Sequence, residues 1–141
     1  MVQLIVGKKG KGKTKHLLDR ANAAIREANG NIAYLDKNTK HMYELNNKIR
    51  LIELSSFPIR NSDEFIGFIC GIISQDHDLE QMYLDSFLTL CKLEEDHSVL
   101  DDCITKLDEV SELFDVNFII SISLDAHELP DALQQKVVVS L

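Results

Sequence analysis

The stretch GKKGKGKTKHLL, Gly7–Leu18, gathers the residues best suited to chemistry: three glycines and five lysines lie between Gly7 and Lys15. Gly7-Lys8-Lys9-Gly10-Lys11-Gly12-Lys13-Thr14 satisfies GxxxxGK[ST] at every required position. A polyphosphate must meet several backbone N–H groups at once. Glycines let a loop wrap closely with positive φ, and a helix starting behind it adds its dipole and its unbonded N–H groups. In this pattern Lys13 reaches the β- and γ-phosphates and the Thr14 hydroxyl takes Mg²⁺. The dinucleotide fingerprint GxGxxG does not fit, because Gly10 and Gly12 are followed by Lys15 where a third glycine is needed. The spacing predicts a P-loop in which Gly7, Lys8, Lys9, Gly10, Lys11, Gly12, Lys13, Thr14 and Lys15 bind ATP or GTP. Four of those lysines (Lys8, Lys9, Lys11 and Lys15) exceed the motif. They raise affinity for a highly charged ligand, keep the loop soluble, or meet nucleic-acid phosphate.

A P-loop acting on nucleotide needs an acid that orients the metal from a neighbouring strand end. Asp85 in MYLDSF is the leading candidate, so Lys13 and Asp85 are the expected catalytic pair and Thr14 and Asp85 the expected Mg²⁺ ligands. Asp36 in IAYLD and Asp125 in SISLD end strands at the same expected edge. Ser121 and Ser123 are either polar sensors or one polar face of a strand. Arg60 is a candidate arginine finger, and Lys37 and Lys40 are candidates for the base or the γ-phosphate. Asp76-His77-Asp78 and Glu94-Glu95-Asp96-His97 are acidic clusters with a histidine, but they lack recognisable metal spacing and read by default as solvated loops.

The elements that must position these residues follow from periodicity. Strands are expected at Gln3–Val6, Asn31–Asp36, Ile49–Leu54, within Leu79–Phe87 (ending near Asp85), Val116–Leu124 and the terminal KVVVSL. Leu17, Leu18, Ala21, Ala24, Ile25 and Ala28 recur at one-face helical spacing, and Asn29-Gly30 supplies a stop. A short helix is expected around Lys40–Leu45. Asn61 caps another with Glu64 as capping-box partner, burying Phe65, Phe68, Ile69, Ile72 and Ile73. Gly67 and Gly71 on that helix suggest close backbone packing. A long helix carries Val99 to Phe114, and a short segment covers Leu129–Gln134. Strand–helix alternation predicts one α/β domain over residues 1–141. It would be a three-layer sandwich around a mainly parallel sheet of about five to six strands.

Composition agrees. At 141 residues, 45% hydrophobic and 27% charged, the chain is long enough for one core and too apolar for disorder. No apolar run approaches the roughly 18 residues of a membrane span. MVQLIV lacks the charged start of a secretory signal, so a cytoplasmic location is expected. Cys70, Cys91 and Cys103 are odd in number without CxxC spacing and read as small core residues. The net charge of −8 is unevenly spread: residues 1–60 hold 12 Lys/Arg against 5 Asp/Glu, and residues 61–141 hold 3 against 18. The basic half suits an anionic ligand, and the acidic half suits solvent, a basic partner or Mg²⁺. Overall acidity argues against general nucleic-acid binding.

With Gly7–Thr14 and Met82–Asp85 in this layout, the chain resembles the P-loop NTPase superfamily, specifically its RecA-like and thymidine-kinase-like branch. In such relatives the acid is often followed by a glutamate that activates water; here Ser86 follows. The resemblance therefore implies slow hydrolysis unless Glu94 or Glu95 folds back or a partner supplies the base. YLDKNTK resembles the segment after the second strand of thymidine kinases, whose zinc-binding cysteines and acid pair this chain lacks. The opening is also similar to that of small bacterial proteins labelled twitching-motility ATPases. True members are longer and carry histidine and aspartate boxes absent here. The expected function is a Mg²⁺-dependent ATP- or GTP-binding protein with slow or partner-stimulated hydrolysis. Alternatives are a nucleotide-binding switch docking a protein partner or a second copy, and a small nucleoside or nucleotide kinase.

Overall fold

Parallel strands covered on both faces carry nearly continuous apolar runs, and QLIV, NIAYLD and NFIISI are of this kind. In the computed structural model, which describes residues 1–141, six strands form one sheet: β1 (Val2–Val6), β2 (Asn31–Asp36), β3 (Arg50–Glu53), β4 (Leu79–Leu84), β5 (Asn117–Ile122) and β6 (Val137–Ser140). Their order is β3-β2-β4-β5-β1-β6, and every pairing is parallel. The helices are α1 (Lys13–Ile25), α2 (Ser62–Gln75), α3 (Phe87–Leu90), α4 (Leu100–Phe114) and α5 (Asp131–Gln134). No helix is long and apolar enough to cross a membrane.

Alternation along each strand divides the core in two. Leu4, Val6, Ala33, Leu35, Met82, Leu84, Phe118 and Ile120 face α2, α4 and α5 in a cluster of 29 buried residues. Ile5, Ile32, Tyr34, Tyr83 and Ile119 face α1 in a cluster of 10. The single-domain α/β sandwich expected from the sequence is thus observed, with one heavily covered face and one face that rests on α1. Since all strands run the same way, the β1–α1 loop and the ends of β2, β4 and β5 meet at one edge.

Several details differ from the sequence reading. β4 stops at Leu84, next to the expected end at Asp85, but Ser86 then adopts a left-handed conformation (φ 57°) and starts the one-turn helix α3, which periodicity does not reveal. The Lys40–Leu45 region contributes only a 3₁₀ turn, Met42–Glu44. Helix α1 ends at Ile25, ahead of Asn29-Gly30. Asn61 Oδ1 accepts from the Glu64 N–H at 2.9 Å as expected, but Glu64 reaches back to the Arg60 N–H rather than to the cap itself. Cys91 and Cys103 are buried, while Cys70 is exposed on α2. Gly67 and Gly71 serve no close packing: both are exposed, and a Cβ at either would meet no atom within 4 Å.

Gly30 is the opposite case. A Cβ there would lie 2.0 Å from the Asp78 carbonyl oxygen, where the turn entering β2 crosses the turn entering β4. Gly67→Ala is therefore expected to stabilise the fold by about 0.5–1 kcal/mol in urea unfolding, through helix propensity and reduced unfolded-state freedom. Gly30→Ala should destabilise it by about 1–3 kcal/mol, the usual scale of overpacking.

Candidate functional site

The loop behind β1 is shaped by its glycines. Gly7 donates its N–H to the Leu124 carbonyl at 2.8 Å, and a Cβ on it would come 2.9 Å from the Leu141 carbonyl oxygen. Gly10 and Gly12 sit at φ 83° and 95°, left-handed positions that favour glycine. Gly12 also caps α1 without any side-chain acceptor, so the first-turn N–H groups stay available to an anion. Lys13 is 8% exposed, and its Nζ donates to the Lys8 carbonyl at 3.0 Å across the loop. Burial pushes the Lys13 ammonium below its ordinary pKa, against the opposing pull of Asp85 and Asp125.

Two strands away, Asp85 is only 2% exposed. Its Oδ1 accepts from Ser121 Oγ at 2.8 Å and from Thr14 Oγ1 at 3.3 Å, and its Oδ2 accepts from the Tyr34 hydroxyl at 2.9 Å. The Ser121 oxygen in turn accepts the Ser86 N–H at 2.8 Å. Burial, followed by the charge and hydrogen bond of Asp85, holds the Tyr34 phenol far above its ordinary pKa, so Tyr34 remains a donor. Thr14 and Asp85 form a hard-oxygen pair of the type that suits Mg²⁺. A metal held by these two residues would supply positive charge beside the loop.

A cleft of about 660 Å³ opens over this pair. Lys9, Gly10, Gly12, Lys13 and Thr14 line it from the loop. Asp85, Ser86, Ser121 and Ser123 line it from the strand ends, and Lys37, His41, Glu94 and His97 from the connections beyond. Other residues expected to bind lie outside the lining. Lys8 pairs with Glu128 at 3.3 Å and Asp125 at 3.9 Å, and Lys15 pairs with Asp19 on its own helix. Gly7 is under Leu141, and Lys11, Lys40 and Arg60 are exposed and do not line the cleft. Asp125, His127 and Glu128 bring ligand atoms within 4.8 Å of one another, but Lys8 already pairs with both carboxylates of that cluster. Asp76 is used locally, accepting from the Asn31 amide and the Asp78 N–H.

Sequence reasoning misses Tyr34 as a site residue. The available signal is a buried tyrosine in a strand, whose hydroxyl must find a partner. Asp36 is buried too: its Oδ1 accepts from the Lys37 N–H at 2.7 Å, while Oδ2 has no partner within the protein. Burial first, and Asp85 second, raise its pKa.

No protein-family model matches the sequence, and no curated protein matches it. Among solved structures, the chain is similar to the flagellar accessory protein FlaH from Methanocaldococcus jannaschii, with a TM-score of 0.62 and 12% identity over 95% of this chain. The chain spans 65% of the length of that structure. At this identity the likeness is one of fold alone.

Two outcomes follow from the carboxylates. Tyr34→Phe leaves Asp85 Oδ2 buried without a donor and should cost about 1–3 kcal/mol in urea unfolding. For Asp36, a folded pKa raised above the ordinary 3.8 means the native state holds the proton more tightly. Its contribution to stability is full below pH 3.8 and is lost as pH rises through the elevated value. Asp36→Asn should flatten that part of the wild-type stability–pH profile.

Proposed function

We propose that the protein binds ATP or GTP with Mg²⁺ in the cytoplasm and hydrolyses it slowly, or faster when a protein partner or second copy docks. The observation that carries this reading is the 3.3 Å approach of Thr14 Oγ1 to Asp85 Oδ1, beside the loop that holds Lys13. In it, the N–H groups of the loop and of the start of α1 cradle the phosphates. Lys13 leaves the Lys8 carbonyl to reach the β- and γ-phosphates, replacing a neutral acceptor with a charged one. Thr14 and Asp85 would hold the metal, which would supply charge neutralisation at the transferring phosphate. The basic lining from Lys9 and Lys37 favours the same anionic ligand. Ser86, where relatives often carry a glutamate, favours a second reading: a switch that binds nucleotide without appreciable turnover.

Titration with fluorescent ATP and GTP analogues tests the proposal. Lys13→Ala should weaken binding about 10- to 100-fold, the loss of a charge-assisted contact. Asp85→Asn should bind nucleotide like the wild type in EDTA yet lose the affinity gained on adding Mg²⁺. Equal binding by wild type and Lys13→Ala would refute the P-loop reading.

A further inference from the structure

Hydrolysis is accelerated by a group that orients the attacking water and accepts its proton, and the position after Asp85 offers only Ser86. We propose that Glu94, from the connection between α3 and α4, is that group; the inference rests on the nucleotide-binding reading above. Asp85 and Glu94 are the only carboxylates lining the cleft. Asp85 is buried, with Oδ1 taken by Ser121 and Thr14 and Oδ2 taken by Tyr34. Asp36 lies beneath the surface and outside the lining, and Asp125 and Glu128 are paired with Lys8. Glu95 adjoins Glu94 in sequence but does not line the cleft. Glu94 is exposed, and no ion pair engages it.

The connection that carries Glu94 to the cleft wall is anchored on its N-terminal side. Leu93 is buried, and its N–H donates to the Leu88 carbonyl at 2.8 Å, while Lys92 before it turns through a left-handed conformation (φ 62°). Glu94 therefore leaves a fixed point at the end of α3, the helix that Ser86 caps directly after Asp85. A carboxylate on the wall of the cleft that Lys9 and Lys13 also line can accept a proton in the transition state.

In the reaction, the oxygen of a water molecule bonds to the γ-phosphorus of a bound nucleoside triphosphate. The bond from the γ-phosphorus to the bridging oxygen breaks, and its electron pair stays on the departing nucleoside diphosphate. One water proton passes to the Glu94 carboxylate. The products are inorganic phosphate and nucleoside diphosphate, with no further reactant. His97 lines the same cleft and is the rival base.

The test measures nucleotide binding and phosphate release separately on the full chain with ATP or GTP and Mg²⁺. Glu94→Gln should keep wild-type binding while single-turnover phosphate release falls about 10²- to 10⁴-fold, the usual contribution of a general base. Glu95→Gln should release phosphate at the wild-type rate, and circular dichroism should show all variants folded. Wild-type release by Glu94→Gln overturns the assignment. So does a loss confined to His97→Gln, or a wild type that binds nucleotide but releases no phosphate, and in these cases the nucleotide-binding reading stands. Absence of binding by the wild type removes both.

Discussion

The buried carboxylate of Asp85 is the constraint on which the rest depends. A charge this deep is tolerated only where hydrogen bonds replace water, and three donors do so. Tyr34 comes from β2, Ser121 from β5 and Thr14 from the first turn of α1. Each donor fixes a neighbour: β4 must lie between β2 and β5, and the loop after β1 must reach over β5 to bring Thr14 within range. The observed order β2-β4-β5-β1 is the one that satisfies this acid. Strand order and candidate site are thus one problem, solved by the same contacts.

The loop itself is tethered independently of any ligand. Lys13 is bound to the Lys8 carbonyl, Lys8 Nζ to Asp125 and Glu128, and Gly7 is pressed against Leu141. This is where the two oppositely charged halves of the chain meet. Exposed pairs such as Lys8–Glu128 contribute little stability. Their effect is one of orientation, keeping Lys8 outside the cleft while Lys9 lines it. Most of the remaining acidic excess has no such task. Lys106 answers Asp63 and Asp102, Lys136 answers Asp108, and the other carboxylates of α4 face solvent.

What was legible in the sequence was local. The GxxxxGKT spacing encodes a loop conformation within eight residues, and apolar runs ending in Asp36, Asp85 and Asp125 mark the edge where β2, β4 and β5 finish. The partner of Asp85 was not legible, because Tyr34 lies 51 residues away and only strand order brings them together. Local rules also misled where solvent decides. Gly67 and Gly71 look like packing glycines on helical spacing, but they face outward on α2, and Cys70 between them is exposed for the same reason. Helix α3 was hidden inside an apolar run whose strand character ends only because Ser86 turns left-handed.

That turn gives Ser86 a structural role. A non-glycine residue in the left-handed region costs roughly 1–2 kcal/mol, so the conformation must be held by something. It is held by the Ser86 N–H bonding to Ser121 Oγ, the same hydroxyl that donates to Asp85. Ser121 therefore serves two neighbours at once, and its geometry is fixed by both. Position 86 is occupied in orienting the acid through its backbone, and the chain then reverses at once into α3 rather than continuing the strand past the cleft. The same reversal starts the short helix and the connection that bring Glu94 back to the cleft wall. The left-handed turn at Ser86 and the place of Glu94 on the cleft wall thus have one backbone cause.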